Sequence, residues 1–396
     1  MLNKRNKILI LGAGRQQIPL ISTAIKMQLE VHVCSILGDY PGIEIAPYFH
    51  EVDISDSKAV LELAKSIEIQ GIITTGTDVC LESIGLVIDR LNLPGTCLES
   101  SKSCLNKTLM KARFSRFNVP TANYALIDSV ESGTEFFNSQ TSACVIKPAD
   151  SSGSRGVNRI EMGTEIHAAL VDARKYSASG EIIIEEWLEG EEFGAQAIII
   201  DGKLEKLMLH SDITTPPPRR IPIGHGCPHP AESELMPMVW SIVEHAVSAL
   251  GIDNTISNID FILTEDGPKI IEMTCRMGGT HLPEVCGTFW GIDMYETALQ
   301  IALGMQPVLP ESPLGVPNAI QNLIFDQPGK VAKLGDTDQE FVWNLYFGIG
   351  DYVVLNAAKQ AELGYVQDTT SDVGSLLQSV TNAAEAFCNT TEYEVD

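Results

Sequence analysis

The sequence predicts a mixed α/β and α+β protein of several domains, with a doubly wound parallel α/β domain at its N-terminus. Three observations predict this class. The chain has 396 residues, more than a single hydrophobic core usually organises. Residues 7–91 alternate short apolar runs with helical spacings, as a parallel sheet requires. From residue 143 onward, short apolar runs are separated by turn residues, which indicates antiparallel hairpins.

The individual elements follow from the same patterns. The run at 7–11 ends in Gly12-Ala13-Gly14, and a helical spacing then leads to a second run at 31–34. The sequence further predicts helices over 57–68, 79–91, 102–117, 164–175, 232–250 and 372–387, strands over 71–74, 143–147, 157–161, 181–186, 193–200 and 203–209, and a hairpin over 258–274. Residues 211–230 are rich in proline and are predicted to be a loop. We expect domains at 1–97, 98–188, 189–305 and 306–396.

The composition excludes several classes of function. Lys and Arg number 27 against 52 Asp and Glu, so the formal charge is −25. Such a surface repels phosphate backbones and anionic lipids, and we expect neither nucleic-acid nor membrane partners. No apolar stretch is long enough to span a membrane, and the N-terminal apolar run is too short for a signal segment, so a cytoplasmic location is expected. The nine cysteines lack CxxC spacing, which favours reduced, buried thiols.

The predicted hairpin carries the strongest local chemistry. With a turn centred on Asp266, Asp260 faces Glu272 and Asn258 faces Thr274. Residues two apart share a face, so Arg276 projects the same way. Two opposed carboxylates repel each other unless a cation lies between them, and Mg²⁺ prefers such oxygen ligands. A solvated face with incidental acids explains the hairpin equally well when it is taken alone.

Two further segments could contact a nucleotide. The strand ending at Lys147 leads into a loop of small residues whose backbone N–H groups could approach phosphate oxygens, although a plain hairpin loop is the simpler interpretation. The loop residues are Ser151, Ser152, Gly153, Ser154 and Gly156. After a second strand, an extended acidic stretch could offer backbone groups to an adenine edge and a carboxylate to a ribose, or could be only an acidic connector. Its residues are Glu185, Glu186, Trp187, Leu188 and Glu192.

Other motifs are weaker. Gly14 and Arg15 lie at a helix N-terminus that could face an anion, but Gln17 replaces the third glycine of a dinucleotide-binding fingerprint. Thr77 could contact a substrate or belong to a helix cap. The cluster His225, Cys227 and His229 has metal-ligand spacing but lies in the proline-rich segment without an evident fourth ligand, so zinc is not favoured there.

The order of these segments resembles the ATP-grasp superfamily, in the branch of biotin carboxylase, carbamoyl phosphate synthetase and carboxylate–amine ligases. The segments are Asn106-Lys107, Val145-Ile146-Lys147-Pro148 with its loop, Glu185 to Glu192, Asn258-Ile259-Asp260-Phe261, and Ile271 to Gly279. The resemblance covers nearly the whole chain. It implies an ATP-grasp fold that follows the N-terminal α/β domain.

The resemblance also implies roles for particular residues. Lys107 and Lys147 match the lysines that contact ATP phosphates, residues 151–156 match the lid over those phosphates, and 185–188 match the adenine hinge, with Glu192 at the ribose position. Asp260, Glu272 and Thr274 match the metal-binding positions, where the family usually has Asn in place of Thr274. Arg276 matches a contact to the substrate carboxylate or acyl phosphate. Further substrate contacts are expected from Gly278, Gly279, Gly14, Arg15 and Thr77.

The implied activity is that of an ATP-dependent carboxylate–amine ligase that uses Mg²⁺, or Mn²⁺ in its place. A carboxylate attacks the γ-phosphate to give an acyl phosphate and ADP, and an amine then displaces phosphate. Small carboxylate and amine substrates are the expected partners, and a homodimer is compatible with the sequence. Three alternatives stay open: activation of bicarbonate, an NAD-dependent oxidoreductase built on residues 1–97, and a nucleotide-binding sensor without turnover.

Overall fold

The computed structural model describes residues 6–151, 153–215, 221–325, 327–355, 361–369 and 372–394. The strands are β1 (Lys7–Leu11), β2 (Glu30–Ser35), β3 (Tyr48–Glu51), β4 (Gly71–Ile73), β5 (Tyr124–Ile127), β6 (Cys144–Pro148), β7 (Asn158–Ile160), β8 (Ile182–Glu186), β9 (Glu191–Ile200), β10 (Lys203–Thr214), β11 (Pro222–Cys227), β12 (Thr255–Thr264), β13 (Gly267–Thr274), β14 (Asn318–Phe325), β15 (Gly329–Lys333), β16 (Val342–Leu345), β17 (Tyr352–Val353), β18 (Ala361–Asp368) and β19 (Glu392–Glu394). The helices are α1 (Ile18–Lys26), α2 (Pro41–Ile45), α3 (Ser57–Ile67), α4 (Leu81–Leu91), α5 (Leu98–Leu105), α6 (Lys107–Arg116), α7 (Val130–Ser139), α8 (Ile166–Arg174), α9 (Glu232–Leu250), α10 (Leu282–Trp290), α11 (Met294–Ala302) and α12 (Val373–Thr390).

The chain divides into two compact units. The first comprises Met1–Leu207, Ser233–Gly279 and Met294–Leu309, and the second comprises the remaining segments. The predicted fold class is confirmed, since parallel and antiparallel sheets occur together with helices between strands. Among the described residues, no helix has both the length and the apolar character needed to cross a bilayer.

The first unit contains three groups of strands. A parallel sheet has the order β3-β2-β1-β4, and the central strand β1 is almost fully buried, which explains its continuous apolar sequence. A four-stranded antiparallel sheet has the order β5-β8-β6-β7, and it packs against α8 over a core of aliphatic residues. Strands β13, β12 and β9 form an antiparallel ladder.

The second unit is built on antiparallel strands. Strands β10, β11, β14, β18 and β16 lie in that order, and α12 packs on β14 and β18. Its apolar core includes Leu323, Leu363, Val380 and Phe387. A small three-stranded sheet has the order β17-β15-β19.

Two predicted elements are wrong in detail. Residues 211–230 are not one loop, because β10 continues to Thr214 and pairs with β11, which begins at Pro222. A proline is tolerated at the first residue of a strand, so the proline content of this segment did not exclude a strand that begins at Pro222. The helix predicted over 102–117 is two helices, because Asn106 has a non-helical backbone conformation and interrupts it. The Asn106 side chain accepts a hydrogen bond from the backbone of Leu109 and caps α6.

Candidate active site

The hairpin of β12 and β13 brings the two predicted metal ligands together. Asp260 lies opposite Glu272, and Asn258 lies opposite Thr274, as predicted. Directly opposed residues of an antiparallel pair share a face, so both carboxylates project from the same side of the hairpin. On the neighbouring strand β9, Gly194 lies opposite Asp260, so no side chain stands beside this carboxylate on that strand.

The reason for this pairing differs from the predicted one. Thr264 pairs with Gly267, so the turn consists of Glu265 and Asp266 and is not centred on a single residue. The register shifts between Asp260 and Phe261, where β13 has one extra residue, Ile271. Without this bulge Glu272 would project to the opposite face, because a shift of one residue inverts the alternation of a strand. The bulge therefore creates the carboxylate pair.

Lys107 joins the carboxylate pair to the loop that follows β6. It is the first residue of α6, directly after the cap Asn106, and only 6% of it is exposed. Its Nζ lies 3.2 Å from Glu272 Oε1 and donates to the carbonyl oxygen of Ser151 at 2.8 Å. A phosphate in this position would meet an ammonium group that is already fixed.

A second cluster of buried charges lies around Glu185, which is only 3% exposed. Lys147 Nζ lies 2.9 Å from Glu185 Oε1, and Lys111 Nζ lies 3.2 Å from Oε2. Burial alone would raise the pKa of Glu185, but the two ammonium groups outweigh it and lower that pKa, so the carboxylate is charged. The sequence pattern singled out Lys147 and Glu185 but missed Lys111, which had no motif to mark it.

The predicted phosphate loop is fixed at both ends. At its start Asp150 accepts hydrogen bonds from the Ser179 backbone at 2.6 Å and from the Ser177 hydroxyl at 2.9 Å. At its end Gly156 has a φ of +71°, and a Cβ there would lie 2.9 Å from the Tyr176 ring. Between these anchors, residues 153–155 are exposed, whereas Ser152 lies outside the described residues. Gly153 and Ser154 both have positive φ angles.

The acidic stretch after β8 is partly committed to protein contacts. The carboxylate of Glu186 accepts hydrogen bonds from the backbone and side chain of Asn123, both at 3.0 Å. The Trp187 ring lies under the Arg159 guanidinium, 4.5 Å from ring centroid to carbon. Leu188 is half-buried. Glu192 on β9 shares the face of Gly194 and therefore the face of Asp260.

Gly190 supplies a testable feature of this stretch. Its φ is +153°, and a Cβ would lie 2.1 Å from the Leu263 carbonyl oxygen. We expect Gly190→Ala to lower the free energy of unfolding by about 2–4 kcal/mol, measured by urea denaturation. Gly202→Ala is the matched control: its φ is +71° with no atom within 4 Å, and it should cost only about 1 kcal/mol. Equal losses in the two variants would contradict the steric argument.

Arg276 lies at the far end of the same hairpin face, and its guanidinium is held by Asp78. Nε donates to Asp78 Oδ1 at 2.8 Å, Nη2 to Oδ2 at 2.9 Å, and Nη1 to the Met277 carbonyl at 3.0 Å. These contacts use three of the five N–H donors, so within the described part of the chain two are left for a substrate. Burial alone would lower the pKa of Arg276, but Asp78, Asp260 and Glu272 outweigh it and raise that pKa.

A chain of hydrogen bonds links the metal-binding face to the loop after Arg276. The Gly278 backbone donates to Gln196 Oε1 at 3.0 Å, Gln196 Nε2 donates to Asn258 Oδ1 at 2.5 Å, and Asn258 Nδ2 donates to Asp260 Oδ1 at 3.1 Å. Gln196 is fully buried. No sequence motif marks Gln196, because its role depends on the pairing of β9 with β12.

The predicted substrate residues near the N-terminus come close to this loop. Thr75 pairs with Met277, and Gly76 and Gly279 both pack against the Gln16 side chain, which follows Gly14 and Arg15 in the sequence. Thr77 lies between Gly76 and the Arg276 partner Asp78. The structure thus brings together the three segments that contain Gly14, Thr77 and Gly278.

The same region argues against a dinucleotide. The buried Gln17 side chain folds over the turn, since Cβ atoms on Gly12 and Gly14 would each lie 3.1 Å from it. Its Nε2 donates to the Thr75 carbonyl at 2.5 Å. In the dinucleotide fingerprint a third glycine occupies the position of Gln17 and lets the helix pack closely on the strand. The position of Gln17 therefore gives no support to the oxidoreductase alternative.

Comparisons with known proteins point to one family. The family model described as phosphoribosylglycinamide synthetase, ATP-grasp (A) domain, matches residues 105–281. Phosphoribosylamine–glycine ligase of Lactococcus lactis is 29% identical over 254 residues, which cover 60% of this chain and 58% of that ligase. The chain thus spans less than two thirds of that relative's length.

Two solved structures share the fold over almost the whole chain. Phosphoribosylglycinamide synthetase from Anaerococcus prevotii has a TM-score of 0.79 at 22% identity and covers 99% of this chain and 100% of its own. L-amino acid ligase from Bacillus licheniformis has a TM-score of 0.79 at 18% identity, with the same coverage of 99% and 100%. The matched residues 105–281 include Lys107, Lys147, Asp260, Glu272 and Arg276.

Proposed function

The chain belongs to the ATP-grasp superfamily of ADP-forming ligases, and on this premise we propose that it joins a carboxylate to an amine through an acyl phosphate. One observation carries the proposal. Asp260, Glu272 and Arg276 share one face of a hairpin, and Lys107 is fixed against Glu272. This face combines anionic oxygen ligands for a cation with cationic groups for phosphate and carboxylate, which are the groups that phosphoryl transfer needs.

The residues present fit magnesium and ATP. The donors Asp260 and Glu272 are oxygen ligands, which Mg²⁺ or Mn²⁺ prefers, and Thr274 adds a hydroxyl on the same face. When bound, the ion would neutralise charge on the phosphates. Lys107 and Lys147 are our proposed phosphate contacts, and the loop 151–156 is the proposed cover. Because the carboxylates of Glu185 and Glu186 are engaged by protein groups, we assign the base contact to the backbone of 185–188 and to Trp187 and Leu188, and the ribose contact to Glu192.

Each residue then has a distinct task in the reaction. Arg276 orients the substrate carboxylate toward the γ-phosphate, while Lys107 stabilises the charge on the transferring group. The loop 151–156 excludes water that would hydrolyse the acyl phosphate. Gly278, Gly279 and the segments with Gly14, Arg15 and Thr77 form the substrate end of the site. The chain of hydrogen bonds through Gln196 holds Gly278, at the substrate end, in a fixed position relative to Asn258 on the metal-binding face.

The test of the activity is a screen for ADP release with Mg²⁺ and ATP. Pairs of carboxylic acids and amines form one arm, and bicarbonate forms another. A carboxylate–amine ligase releases ADP only with an organic acid, and its product contains the amine. ADP release with bicarbonate alone would favour the carboxylase alternative, and ATP binding without turnover in either arm would favour a sensor. Sedimentation of the same sample tests the expected homodimer.

We expect Lys147→Ala to weaken binding of Mg-ATP by at least about tenfold, because a charged contact to phosphate is lost. The fold should persist, since Lys111 still compensates the charge of Glu185. Isothermal titration calorimetry measures the affinity. Lys102→Ala is the control, because that lysine side chain is 48% exposed and contacts Glu82 at 3.9 Å. Unchanged ATP affinity in Lys147→Ala would refute the phosphate assignment.

A further inference from the structure

The second unit contains a cluster of buried ligating side chains that the proposed ligase chemistry does not use. His210 and Asp212 are two residues apart on β10 and therefore project from the same face. His225 on β11 pairs directly with Asp212, so its side chain joins them on that face. Antiparallel pairing thus brings His225 of β11 beside the two residues of β10.

The geometry of the three side chains is convergent. Asp212 Oδ1 lies 2.9 Å from His210 Nδ1 and 2.6 Å from His225 Nδ1. The imidazole rings are 5.4 Å apart and nearly perpendicular. His210 is 1% exposed and His225 2% exposed. One ligand atom from each residue lies within 4.8 Å of the other two.

We propose that His210, Asp212 and His225 bind a divalent transition-metal ion of the zinc type, at a site separate from the magnesium site of the first unit. Two imidazoles with one carboxylate suit Zn²⁺, Fe²⁺ or Ni²⁺, whereas Mg²⁺ prefers oxygen ligands alone. This proposal does not depend on the ligase activity. Of the histidines in the sequence motif His225-Cys227-His229, only His225 takes part, and its partners come from β10.

The two distances from Asp212 to the imidazoles require little rearrangement for an ion to enter. Ligand atoms about 2.1 Å from a tetrahedral ion are about 3.4 Å apart. The two nitrogen–oxygen distances of 2.9 and 2.6 Å would therefore widen by less than about 1 Å. The ion would take the place of the two Nδ1 protons, and each neutral imidazole would carry its proton on Nε2. Three protein ligands leave a fourth position for water.

A bound ion would cross-link β10 to β11. The carboxylate and the two imidazoles lie near the end of this pair of strands, where Thr215 and Ile221 exchange hydrogen bonds of 2.9 Å. An ion that binds the folded chain and not the unfolded one raises the melting temperature by mass action. The cluster therefore predicts a thermal shift with Zn²⁺ or Co²⁺ that excess Mg²⁺ does not reproduce.

The experiment uses the full chain, stripped with a chelator and titrated with Co²⁺ in excess Mg²⁺. We expect one equivalent of Co²⁺ to bind, with the visible absorption of a four-coordinate site and a rise in melting temperature. Asp212→Asn and His225→Gln should each weaken binding at least about tenfold. His245→Gln is the control, because this histidine is exposed on α9 and should leave binding unchanged.

Three results would overturn the proposal. The first is no Co²⁺ bound by the wild type in excess Mg²⁺, and the second is equal affinity in Asp212→Asn, His225→Gln and the control. The third is intense near-ultraviolet thiolate absorption in the wild-type complex, which would assign the ion to cysteine ligands such as Cys227. The spectrum of the wild type decides the ligand type even where a variant fails to fold.

Discussion

Arg276→Ala should lower the rate of carboxylate-dependent ADP release by about 100-fold or more, while the affinity for ATP changes little. The guanidinium has two N–H donors that Asp78 and the Met277 carbonyl do not occupy, and they suit a planar carboxylate. Lys107 contacts Glu272 and Lys147 contacts Glu185, so the positions of these two phosphate-binding candidates do not depend on Arg276. Steady-state assays of ADP release, with calorimetry for ATP, separate the two effects.

Two companion variants sharpen this test. Arg276→Lys keeps the charge but cannot form the fork with Asp78, so we expect it not to restore turnover. Asp78→Asn leaves the guanidinium in place but removes its ionic partner, and should mainly raise the KM for the carboxylate, by about tenfold. Full activity in Arg276→Ala would contradict the assignment. Loss of ATP binding in that variant would indicate that Arg276 contacts the nucleotide.

The sequence predicted the metal-binding face for a reason that was only partly right. Alternation along strands predicted that Asp260 and Glu272 share a face, and they do. The turn of Glu265 and Asp266, however, would by itself oppose Asp260 to Ile271, and the bulge at Ile271 restores the pairing. A bulge leaves no clear signature in a single sequence, because it depends on how side chains of both strands pack.

Sequence patterns do not identify residues that join a site only through tertiary contacts. Asp78 follows Thr77, for which the sequence predicts a substrate contact or a helix cap, yet the Asp78 carboxylate binds Arg276, which is 198 residues away. His210 and Asp212 are 15 and 13 residues from His225, and only the register of β10 and β11 unites them. Helix caps, in contrast, have a local sequence signal. Asn is a preferred N-cap residue, so Asn106 is enough to predict a break in the helix and a new helix that starts at Lys107.

Affinity for ATP should fall as the pH rises above about 8, because of Lys111. Burial lowers the pKa of Lys111 to about 8, although Glu185 opposes this shift. When Lys111 loses its proton, Lys147 is the remaining ion-pair partner of Glu185. The Glu185 carboxylate then competes more strongly with phosphate for Lys147. Calorimetry at several pH values measures the effect.

Replacing Lys111 should remove this pH dependence. Lys111→Met has no titrating group there, so its ATP affinity should be weaker than that of the wild type at pH 7 and nearly constant to pH 9. Thr121 Oγ1 accepts a hydrogen bond from Lys111 Nζ at 2.7 Å. Thr121→Val removes this acceptor and should move the fall in affinity to lower pH, whereas Thr121→Ser keeps it and serves as the control.

Deprotonation of Lys111 should also change the free energy of unfolding, in a direction that can be predicted. The folded-state pKa of Lys111, about 8, lies below the ordinary lysine value of 10.5, so between these values the unfolded chain binds more protons. Stability of the wild type relative to Lys111→Met should therefore rise with pH, by roughly 1–2 kcal/mol between about pH 7.5 and 9.5. Urea denaturation at both pH values measures the difference. A difference that stays constant, or that falls with pH, would show that Lys111 is not titrating in this window.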